Sequence, residues 1–534
     1  MNRNPEELKQ AIAALMPLMT AADCCDRNAQ EIGDREALVD CRLRLTWSQV
    51  KERSDRLAFG LLGLGLPRDG RVLVQLPNWV ELFLTRLACE KAGLRLITVP
   101  PTFRAAELAP ILRFTRPQAA ILPKEFRGFR HVELIETVRN EELKHLLVTG
   151  GNIPPGALSF EELLSAGASE HESARLLESH YSVLDVCQVA TTSGSTGTPK
   201  CVEVPLYTRL LTAWIHLQRF GVGRADKIAA VTPIVTGAAD GLVYNGGCQI
   251  GAKIVLVDHF TPEKVCHVMA AEKVSVVPLV PTMMSRIMSM ENIGDYDLEA
   301  LRVVVNHGSS LPFAQGAEFE RRLGCRIVQG YGSVDCGGIC ATSYEDPLEV
   351  RLGTVGCPLD GNEVQIIDEE GKEPPSGEAG RLLVRGLHTE ARFYDNPDLN
   401  DGSRRGGYFV LHEVGRLDGA GNVVLMGREE DLIIRGGQNI FPTDIEGLLI
   451  QHPKIVEVSV IGLPDEEMGE RLCACVVCAE GQTVEFEEVT LFMESKGVAR
   501  FKWPERLKVM TALPKVASGH KIDKRKLKMD LVGK

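Results

Sequence analysis

Short apolar runs alternate with helix-length segments through the first part of the chain, and this alternation constrains the fold more than any other feature. RVLVQL (Arg71 to Leu76) is typical of a buried strand, and the segment from Trp79 to Gly93 has helical apolar spacing that ends at a glycine. Later strand-like runs include KIVLVD, VSVVPLVP and LRVVVN. Because parallel strands need a crossover connection, usually a helix, the pattern predicts layered α/β sheets with largely parallel strands.

The pattern changes twice toward the C-terminus. From about Gly353, short strand-like runs are broken by turn signals, as in EVQIIDEEGK and RLDGAGNVVLMG, which is typical of a β-rich subdomain. After Arg428 the strand-like and helix-like segments form a unit of about 100 residues. We therefore predict an α/β protein with a large N-terminal domain of layered sheets at residues 1–428, in which 353–428 form the β-rich subdomain. A small α+β C-terminal domain is predicted at residues 429–534.

Composition and charge exclude several classes of partner. The 534 residues carry a net charge of −12, which argues against a nucleic acid or an anionic membrane as the main partner. No stretch reaches the ~20 apolar residues of a membrane span, and the first residues lack the basic region of a signal peptide. The 15 cysteines are scattered, and Cys475 and Cys478 lie in a strand-like run, so we expect reduced thiols, no metal at this pair and a cytoplasmic protein.

The clearest chemical signal is the segment TTSGSTGTPK, from Thr191 to Lys200. Gly194 and Gly197 let the backbone approach a ligand, the hydroxyls are donors, and Lys200 adds a positive charge, which together suit a polyphosphate. The spacing differs from that of a Walker P-loop. A cluster of Ser, Thr and Gly can also be a linker, but the strand-like LDVCQVA before it places it at the end of a strand. We therefore predict a loop that binds nucleotide phosphates.

Six further motifs follow this loop along the chain. They are QGYGSVD (329–335), GRLLVRG (380–386), ARFYDNP (391–397), GYFVLHEVGRLD (407–418), MGREEDLIIRGGQNIFPTDIE (426–446) and FKWPERLKVMTALPKVASGHKIDKRKL (501–527). In this order they resemble the motifs of the adenylate-forming, or AMP-binding, superfamily, which includes acyl- and aryl-CoA ligases, stand-alone aryl-acid adenylating enzymes and luciferases. The resemblance covers nearly the whole chain, and it implies a mobile C-terminal domain that rotates at a hinge at Glu430.

This resemblance implies an enzyme, an AMP-forming acid–thiol ligase. A carboxylate would attack the α-phosphate of Mg-ATP to give an acyl-adenylate and pyrophosphate, and a thiol would then displace AMP. A divalent metal and a lysine would reduce the repulsion between the two anions that meet in the first step. The expected cofactors and co-substrates are therefore ATP, Mg²⁺ and CoA.

The identity of the acceptor thiol leaves alternatives open. CoA is favoured because no carrier domain follows in the chain. The alternatives are a stand-alone aryl-acid adenylating enzyme that loads a carrier protein and a pseudoenzyme that binds the nucleotide without turnover.

The resemblance also implies roles for individual residues. It places Lys521, Asp335 and Lys200 in catalysis, with Asp335 at the metal. It also places Tyr331 near adenine and Glu413 at the ribose. The residues expected to contact ATP or AMP are Thr191, Thr192, Ser193, Gly194, Ser195, Thr196, Gly197, Gly308, Ser309, Ser310, Gly330, Tyr331, Gly332, Ser333, Glu413 and Arg428. The residues expected to line the acid pocket are Thr236, Asp240, Asn306, His307, Cys336 and Gly337, and those expected beside the CoA tunnel are Gly436 and Gly437. Apart from their motifs, the charged members of this set would be assigned to solvated surface or to ion pairs.

Several positions depart from the motifs of the family. The usual YGxTE is YGSVD, which makes the carboxylate of Asp335 one methylene shorter, and the usual TGD is LHE, which makes that of Glu413 one methylene longer. His520 separates a glycine from Lys521, whereas the family has this pair adjacent, and PIVT replaces the usual PxxH. Because a displacement of ~1 Å can cost ~100-fold in rate, we expect these changes to affect rate and substrate more than fold.

The predicted acid pocket consists mostly of small residues, as in TGAAD, NHG and GSVDCGGIC. Small residues leave room for a ring or a branched chain, and Asn306, His307 and Asp240 could bind a polar substituent. We therefore predict an aromatic or alicyclic acid. His307 is as consistent with a structural hydrogen bond as with a substrate contact.

Overall fold

Nine strands form the larger of two central sheets. In spatial order they are Cys357–Pro358, Gly337–Ala341, Arg326–Ser333, Val303–His307, Val276–Leu279, Lys227–Ala230, Lys253–Leu256, Glu36–Val39 and Arg44–Thr46. The six strands from Arg326–Ser333 to Glu36–Val39 pair in parallel, and the outer strands are antiparallel. Val303 and Val305 face one hydrophobic core and Val304 faces another, so this sheet is buried on both faces.

Eight strands form the second central sheet. In spatial order they are Arg392–Phe393, Lys200–Pro205, Val186–Thr192, Arg95–Thr98, Arg71–Val74, Ala119–Pro123, His145–Thr149 and Leu158–Ser159. The strand Val186–Thr192 runs parallel to Arg95–Thr98 and antiparallel to Lys200–Pro205. The predicted phosphate-binding segment therefore links two neighbouring antiparallel strands of this sheet.

Two five-stranded sheets and a two-stranded sheet complete the β-structure of the described residues. The first consists of Asn362–Ile367, Gly380–Gly386, Tyr408–Leu417 and Arg404–Arg405, with Val423–Arg428 paired to Tyr408–Leu417. The second consists of Gln438–Ile440, Ile433–Arg435, Gly469–Cys478 and Ile455–Asp465, with Arg506–Val509 paired to Gly469–Cys478. The smallest consists of Glu125–Phe126 and Phe129–Arg130.

The helices lie between and around these sheets. The α-helices are Pro5–Ala13, Ala21–Ile32, Trp47–Gly63, Val80–Ala92, Ala105–Thr115, His131–Val138, Phe160–Leu163, Leu206–Arg219, Gly247–Ile250, Pro262–Glu272, Pro281–Met288, Phe313–Leu323, Leu348–Gly353, Pro397–Gly402, Pro442–Leu449, Phe486–Ser495 and Lys524–Val532. A π-helix, Ala239–Gly246, continues directly into Gly247–Ile250, and short 3₁₀ helices are Ile293–Asp295, Leu387–Thr389, Glu429–Asp431 and Arg500–Lys502. The predicted helix that ends at Gly93 is observed, and this glycine has a φ of 65° at the left-handed C-cap.

This computed structural model describes residues 4–165, 176–192, 200–235, 237–516 and 522–532. The predicted fold class is confirmed, because layered α/β sheets are followed by a β-rich part and by a separate small α+β unit. Within the described ranges, no helix is both long enough and apolar enough to span a membrane. The boundaries of the domains stay predictions.

Buried histidines make the stability of this fold sensitive to acid. The Nε2 of His388 donates to the carbonyl oxygen of Asp360 at 3.0 Å, and its Nδ1 lies 2.8 Å from the hydroxyl of Thr212. Burial lowers the pKa of His388 to about 4, and the charge of Arg219 acts in the same direction. The unfolded chain, with a histidine pKa of ~6.5, therefore binds more protons than the folded chain between these values.

We expect the free energy of unfolding to fall as the pH drops from ~6.5 to about 4, with His388 contributing about 3 kcal/mol of that loss. His388→Gln should flatten the dependence of stability on pH across this window, whatever its effect at neutral pH. Urea unfolding at several pH values measures the slope. The exposed His412→Gln is the control, and equal slopes for both variants would contradict the prediction.

Candidate active site

The predicted phosphate-binding loop begins and ends on described strands, although Ser193, Gly194, Ser195, Thr196 and Gly197 lie outside the described residues. At its start, the hydroxyl of Thr191 donates to the carbonyl oxygen of Thr98 at 3.1 Å. Thr192 follows as the last residue of the strand and pairs with Lys200. The ammonium of Lys200 lies 5.5 Å from the centroid of the Phe393 ring, a cation–π distance. The loop thus starts at the carboxyl end of a parallel strand, where α/β proteins bind ligands.

The hairpin of strands Arg326–Ser333 and Gly337–Ala341 holds several predicted site residues together. Two glycines allow its tight turn. A Cβ added at Gly332 would lie 2.3 Å from the Gly337 oxygen, and one added at Gly337 would lie 2.0 Å from the His388 oxygen. Asp335 and the fully buried Cys336 lie in the turn itself. Asp335 is half-buried and forms no hydrogen bond or ion pair with any other described residue. The described part of the chain thus leaves the carboxylate of Asp335 without a partner at the end of this strand.

The ring of Tyr331 lies between the hairpin and the β-rich part. Its hydroxyl and that of Ser333 are buried without a hydrogen-bond partner among the described residues. Burial raises the pKa of Tyr331 far above its ordinary value, and the charge of Glu413 acts in the same direction. Gly330, which precedes Tyr331, packs against the ring of His216. A Cβ added at Gly330 would lie 3.5 Å from the Cε1 of this ring. The structure thus places the predicted adenine-side and ribose-side residues close to one another.

Glu413 and Arg428 form an ion pair across two antiparallel strands. They are direct partners in the register, with the Arg428 Nε 3.3 Å from the Glu413 Oε1. Arg428 also donates from Nη1 to the Oε1 of Glu430 at 2.8 Å. Burial by itself would lower the pKa of Arg428, but Glu413 and Glu430 raise it above its ordinary value. The predicted ribose and hinge residues therefore share one guanidinium.

The end of strand Val303–His307 supplies a further group of predicted residues. The side-chain amide of Asn306 donates to the Oε1 of Gln329 at 2.6 Å and to the Ser309 oxygen at 3.2 Å. An added Cβ on Gly237 would lie 3.3 Å from the ring of His307, so this ring packs against the start of the helical segment that carries Asp240. Gly308, Ser309 and Ser310 are exposed. Thr236 lies outside the described residues.

Asp240 is completely buried in the π-helix Ala239–Gly246 and is held by arginines. Its Oδ1 accepts a hydrogen bond from Arg86 at 2.7 Å, and the Arg209 Nε lies 3.6 Å from its Oδ2. Arg86 also donates to the carbonyl oxygen of Ile234 and so fixes the connection that leads into the helix. Asp240, which was predicted to bind a polar substituent of the acid, is therefore engaged by two arginines of the chain itself.

The RGG turn with Gly436 and Gly437 borders an open groove on the C-terminal unit. Both glycines have positive φ, 55° and 79°, and an added Cβ at Gly436 would lie 2.8 Å from the Met468 Cε. The groove has a volume of about 540 Å³ and is lined by Arg435, Phe486, Thr490, Arg500, Phe501, Trp503, Pro504 and Glu505. Arginines beside aromatic rings suit a ligand that combines phosphates with an aromatic base.

Lys521 lies outside the described residues, but the chain on either side of it is anchored. Lys515 pairs with Ile522 as an antiparallel bridge, and the amide of Asp523 donates to the Pro514 oxygen at 2.8 Å. The ammonium of Lys515 lies 3.2 Å from the carboxylate of Glu457. That carboxylate also accepts from Arg286 on the helix Pro281–Met288 at 3.1 Å. The two ends of the predicted lysine segment, at Lys515 and Ile522, are therefore held next to each other.

Sequence reasoning missed Arg86, Arg209 and the aromatic residues of the groove. A signal for Arg209 exists, because it is the one arginine within the otherwise apolar run LYTRLLTAWIHL. Arg86 lies in the fully buried helix Val80–Ala92, where a charged residue needs a partner. No local pattern identifies that partner, since 154 positions separate Arg86 from Asp240.

Comparisons with known proteins agree with this arrangement. Residues 25–394 match the family model of the AMP-binding enzyme, and residues 444–520 match that of the AMP-binding enzyme C-terminal domain. The chain is 31% identical to 2-hydroxy-7-methoxy-5-methyl-1-naphthoate–CoA ligase of Streptomyces carzinostaticus, over 94% of this chain and 91% of that protein. It is 29% identical to medium-chain fatty-acid–CoA ligase of Escherichia coli (strain K12), over 96% and 90%.

Solved structures show the same fold. The structure of the anthranilate CoA ligase AuaEII in complex with anthranoyl-AMP matches with a TM-score of 0.87 at 24% identity, over 97% of this chain and 98% of that one.

Proposed function

The chain belongs to the AMP-binding enzyme family and is an AMP-forming acid–thiol ligase, and from this premise we propose that it activates an aromatic or alicyclic acid with Mg-ATP and transfers the acyl group to CoA. The observation that carries this proposal is the grouping of Tyr331, Asp335 and the Glu413–Arg428 pair at the carboxyl end of the nine-stranded sheet. Ligands of α/β proteins bind at this edge.

The nucleotide would lie between the hairpin and the β-rich part. The aromatic ring of Tyr331 would stack on adenine, and the carboxylate of Glu413 would accept hydrogen bonds from the ribose hydroxyls. Arg428 would keep Glu413 ionised and oriented. Lys200, and Lys521 from the anchored C-terminal segment, would place positive charge near the phosphates as the acid carboxylate attacks the α-phosphorus and pyrophosphate leaves.

Asp335 is the residue that would hold Mg²⁺. The described residues contain no cluster of three or more His, Cys, Asp or Glu side chains able to bind a metal. Mg²⁺ in nucleotide sites, however, usually takes one or two carboxylates together with phosphate oxygens and water, and the unpartnered carboxylate of Asp335 fits that donor set. When bound, the ion supplies neutralisation of the phosphate charge.

Two features support CoA as the acceptor thiol. The relatives reported above are named as CoA ligases, and the groove beside the RGG turn offers Arg500 with aromatic rings for a nucleotide, whereas Arg435 is paired with Glu505. The thiolate would attack the acyl carbonyl of the adenylate, and AMP would leave. At Gly437 an added Cβ would meet no atom within 4 Å, so the backbone of the turn is open to a ligand at this residue.

Product analysis with ATP, Mg²⁺, CoA and a panel of aromatic, alicyclic and aliphatic acids tests this function. We expect pyrophosphate, AMP and acyl-CoA in equal amounts for at least one acid. An acyl-adenylate that accumulates with CoA present would contradict the acceptor and favour a carrier protein. Pyrophosphate exchange at background for every acid, despite bound ATP, would contradict the function itself.

A further inference from the structure

The helix Leu206–Arg219 carries Arg209 between two elements of the predicted acid pocket. This helix contacts both the π-helix Ala239–Gly246 and the strand Gly337–Ala341. Thr212 makes the contact with this strand, because a Cβ added at Gly338 would lie 2.6 Å from the Thr212 Cγ2. Arg209 precedes Thr212 by three residues and so lies on the same face of the helix. Its guanidinium reaches Asp240 on one side and lies near the hairpin turn with Asp335 on the other.

Asp240 does not satisfy Arg209. The short hydrogen bond to Asp240, at 2.7 Å, comes from Arg86, whereas the Arg209 Nε stands 3.6 Å from the other carboxylate oxygen. A separation of 3.6 Å is too long for a hydrogen bond. Both that Nε and the Asp240 Oδ2 are buried without a hydrogen-bond partner among the described residues. Asp240 therefore accepts a hydrogen bond from Arg86 and contacts Arg209 only as a longer ion pair.

The carboxylates near Arg209 do not fully neutralise its positive charge. Asp335 acts on it electrostatically but forms no ion pair with it. Glu90, the other buried carboxylate near Arg86, accepts from the Tyr244 hydroxyl at 2.9 Å and the Ala22 amide at 3.0 Å. Burial lowers the pKa of Arg209, against the opposing effect of Asp240. Two guanidiniums thus share one engaged carboxylate.

The side chain of Arg209 is nonetheless not completely enclosed. It keeps 12% of its surface exposed, while Asp240 keeps none. Its guanidinium donates no hydrogen bond within the described part of the chain. A largely desolvated guanidinium that donates no hydrogen bond in the described part of the chain can bind an added carboxylate, which accepts two parallel hydrogen bonds from its fork.

We propose that Arg209 binds a second carboxylate of the acid substrate, so that the enzyme activates one carboxyl group of a dicarboxylic acid. This inference rests on the proposed function, because it names the class of acid that the same site accepts. The carboxyl group that reacts would face the nucleotide near Asp335, and the other would pair with Arg209.

Matched pairs of acids with and without the second carboxylate test the proposal. Benzoate is paired with isophthalate, and hexanoate with adipate, in assays of pyrophosphate release. For the wild type we expect a higher kcat/KM for the diacid in at least one pair. Arg209→Met should lower kcat/KM for that diacid by ~10- to 100-fold, mainly through KM, and change the value for the monoacid by less than ~3-fold. Arg209→Lys, which keeps the charge, should lose less.

A purely structural role for Arg209 predicts a different result. Arg209→Met would then lower the activity with both members of a pair equally and raise the KM for ATP, and this outcome would overturn the proposal. A wild-type preference for the monoacid in both pairs would also overturn it.

Calorimetry with a non-hydrolysable ATP analogue separates the proposal from the proposed function. Isophthalate and adipate are titrated into the wild type and into Arg209→Met with the analogue bound. Diacid binding that Arg209→Met abolishes, without any pyrophosphate release from ATP, would support the role of Arg209 and contradict the acid-activating function. Turnover of monoacids together with equal diacid binding by both proteins would support the function and contradict the role of Arg209.

Discussion

Replacement of Lys521 by methionine is expected to lower acyl-adenylate formation by ~100- to 1,000-fold. Methionine keeps an unbranched side chain but removes the positive charge that would meet the carboxylate and the α-phosphate as they approach. The bridge between Lys515 and Ile522 should hold the segment in place in the variant, because neither residue is altered. The measurement is acid-dependent exchange of pyrophosphate into ATP.

The exposed Lys526→Met is the matched control, since it removes a neighbouring charge and should change the exchange rate by less than ~2-fold. A second measurement, thioester formation from added acyl-adenylate, should survive in Lys521→Met because that step has no α-phosphate attack. Exchange at the wild-type rate in Lys521→Met would show that another cation supplies the charge.

Replacement of Asp335 by asparagine is expected to lower adenylate formation by ~100-fold and to raise the Mg²⁺ concentration needed for half-maximal rate. Asparagine has nearly the same shape, so the loss reports the charge of a carboxylate that no other described residue pairs with. Asp335→Glu restores both the charge and the length usual in the family, and we expect it to retain most of the activity. A titration of the initial rate with Mg²⁺ distinguishes the three proteins.

Glu345→Gln is the control for Asp335→Asn. Glu345 lies beyond the same hairpin, 3.7 Å from Arg326, with 83% of its side chain exposed, so its charge should not matter for the rate. An unchanged Mg²⁺ dependence in Asp335→Asn, together with a normal rate, would remove Asp335 from the metal site.

Local sequence patterns predicted the elements of this fold better than their pairing. The helix that ends at Gly93 and the strand before the Ser/Thr/Gly loop follow from periodicity and from a glycine stop. The strand Lys200–Pro205, which returns antiparallel and pairs with Arg392–Phe393, was not predicted. Its partner lies almost 200 positions later along the chain, and no local period encodes that distance.

The candidate site was predicted unevenly for the same reason. Residues within motifs, such as Tyr331 and the Glu413–Arg428 pair, could be found because each motif is contiguous. Arg86 and Arg209 could not, because their importance depends on where Asp240 is brought by folding. The roles of Lys521 and Asp335 are predictions that the experiments described above test.

The π-helix Ala239–Gly246 has a consequence for how this site can change through insertions and deletions. A π-turn contains more residues than an α-turn, and such turns interrupt α-helices at functional sites. Loss of one residue here would close the segment into α-helix and turn one end relative to the other by about 100°. Asp240 would then leave the arginines although no side chain had been substituted. The rotational position of one helix, as much as its composition, thus sets the charge at the predicted acid pocket.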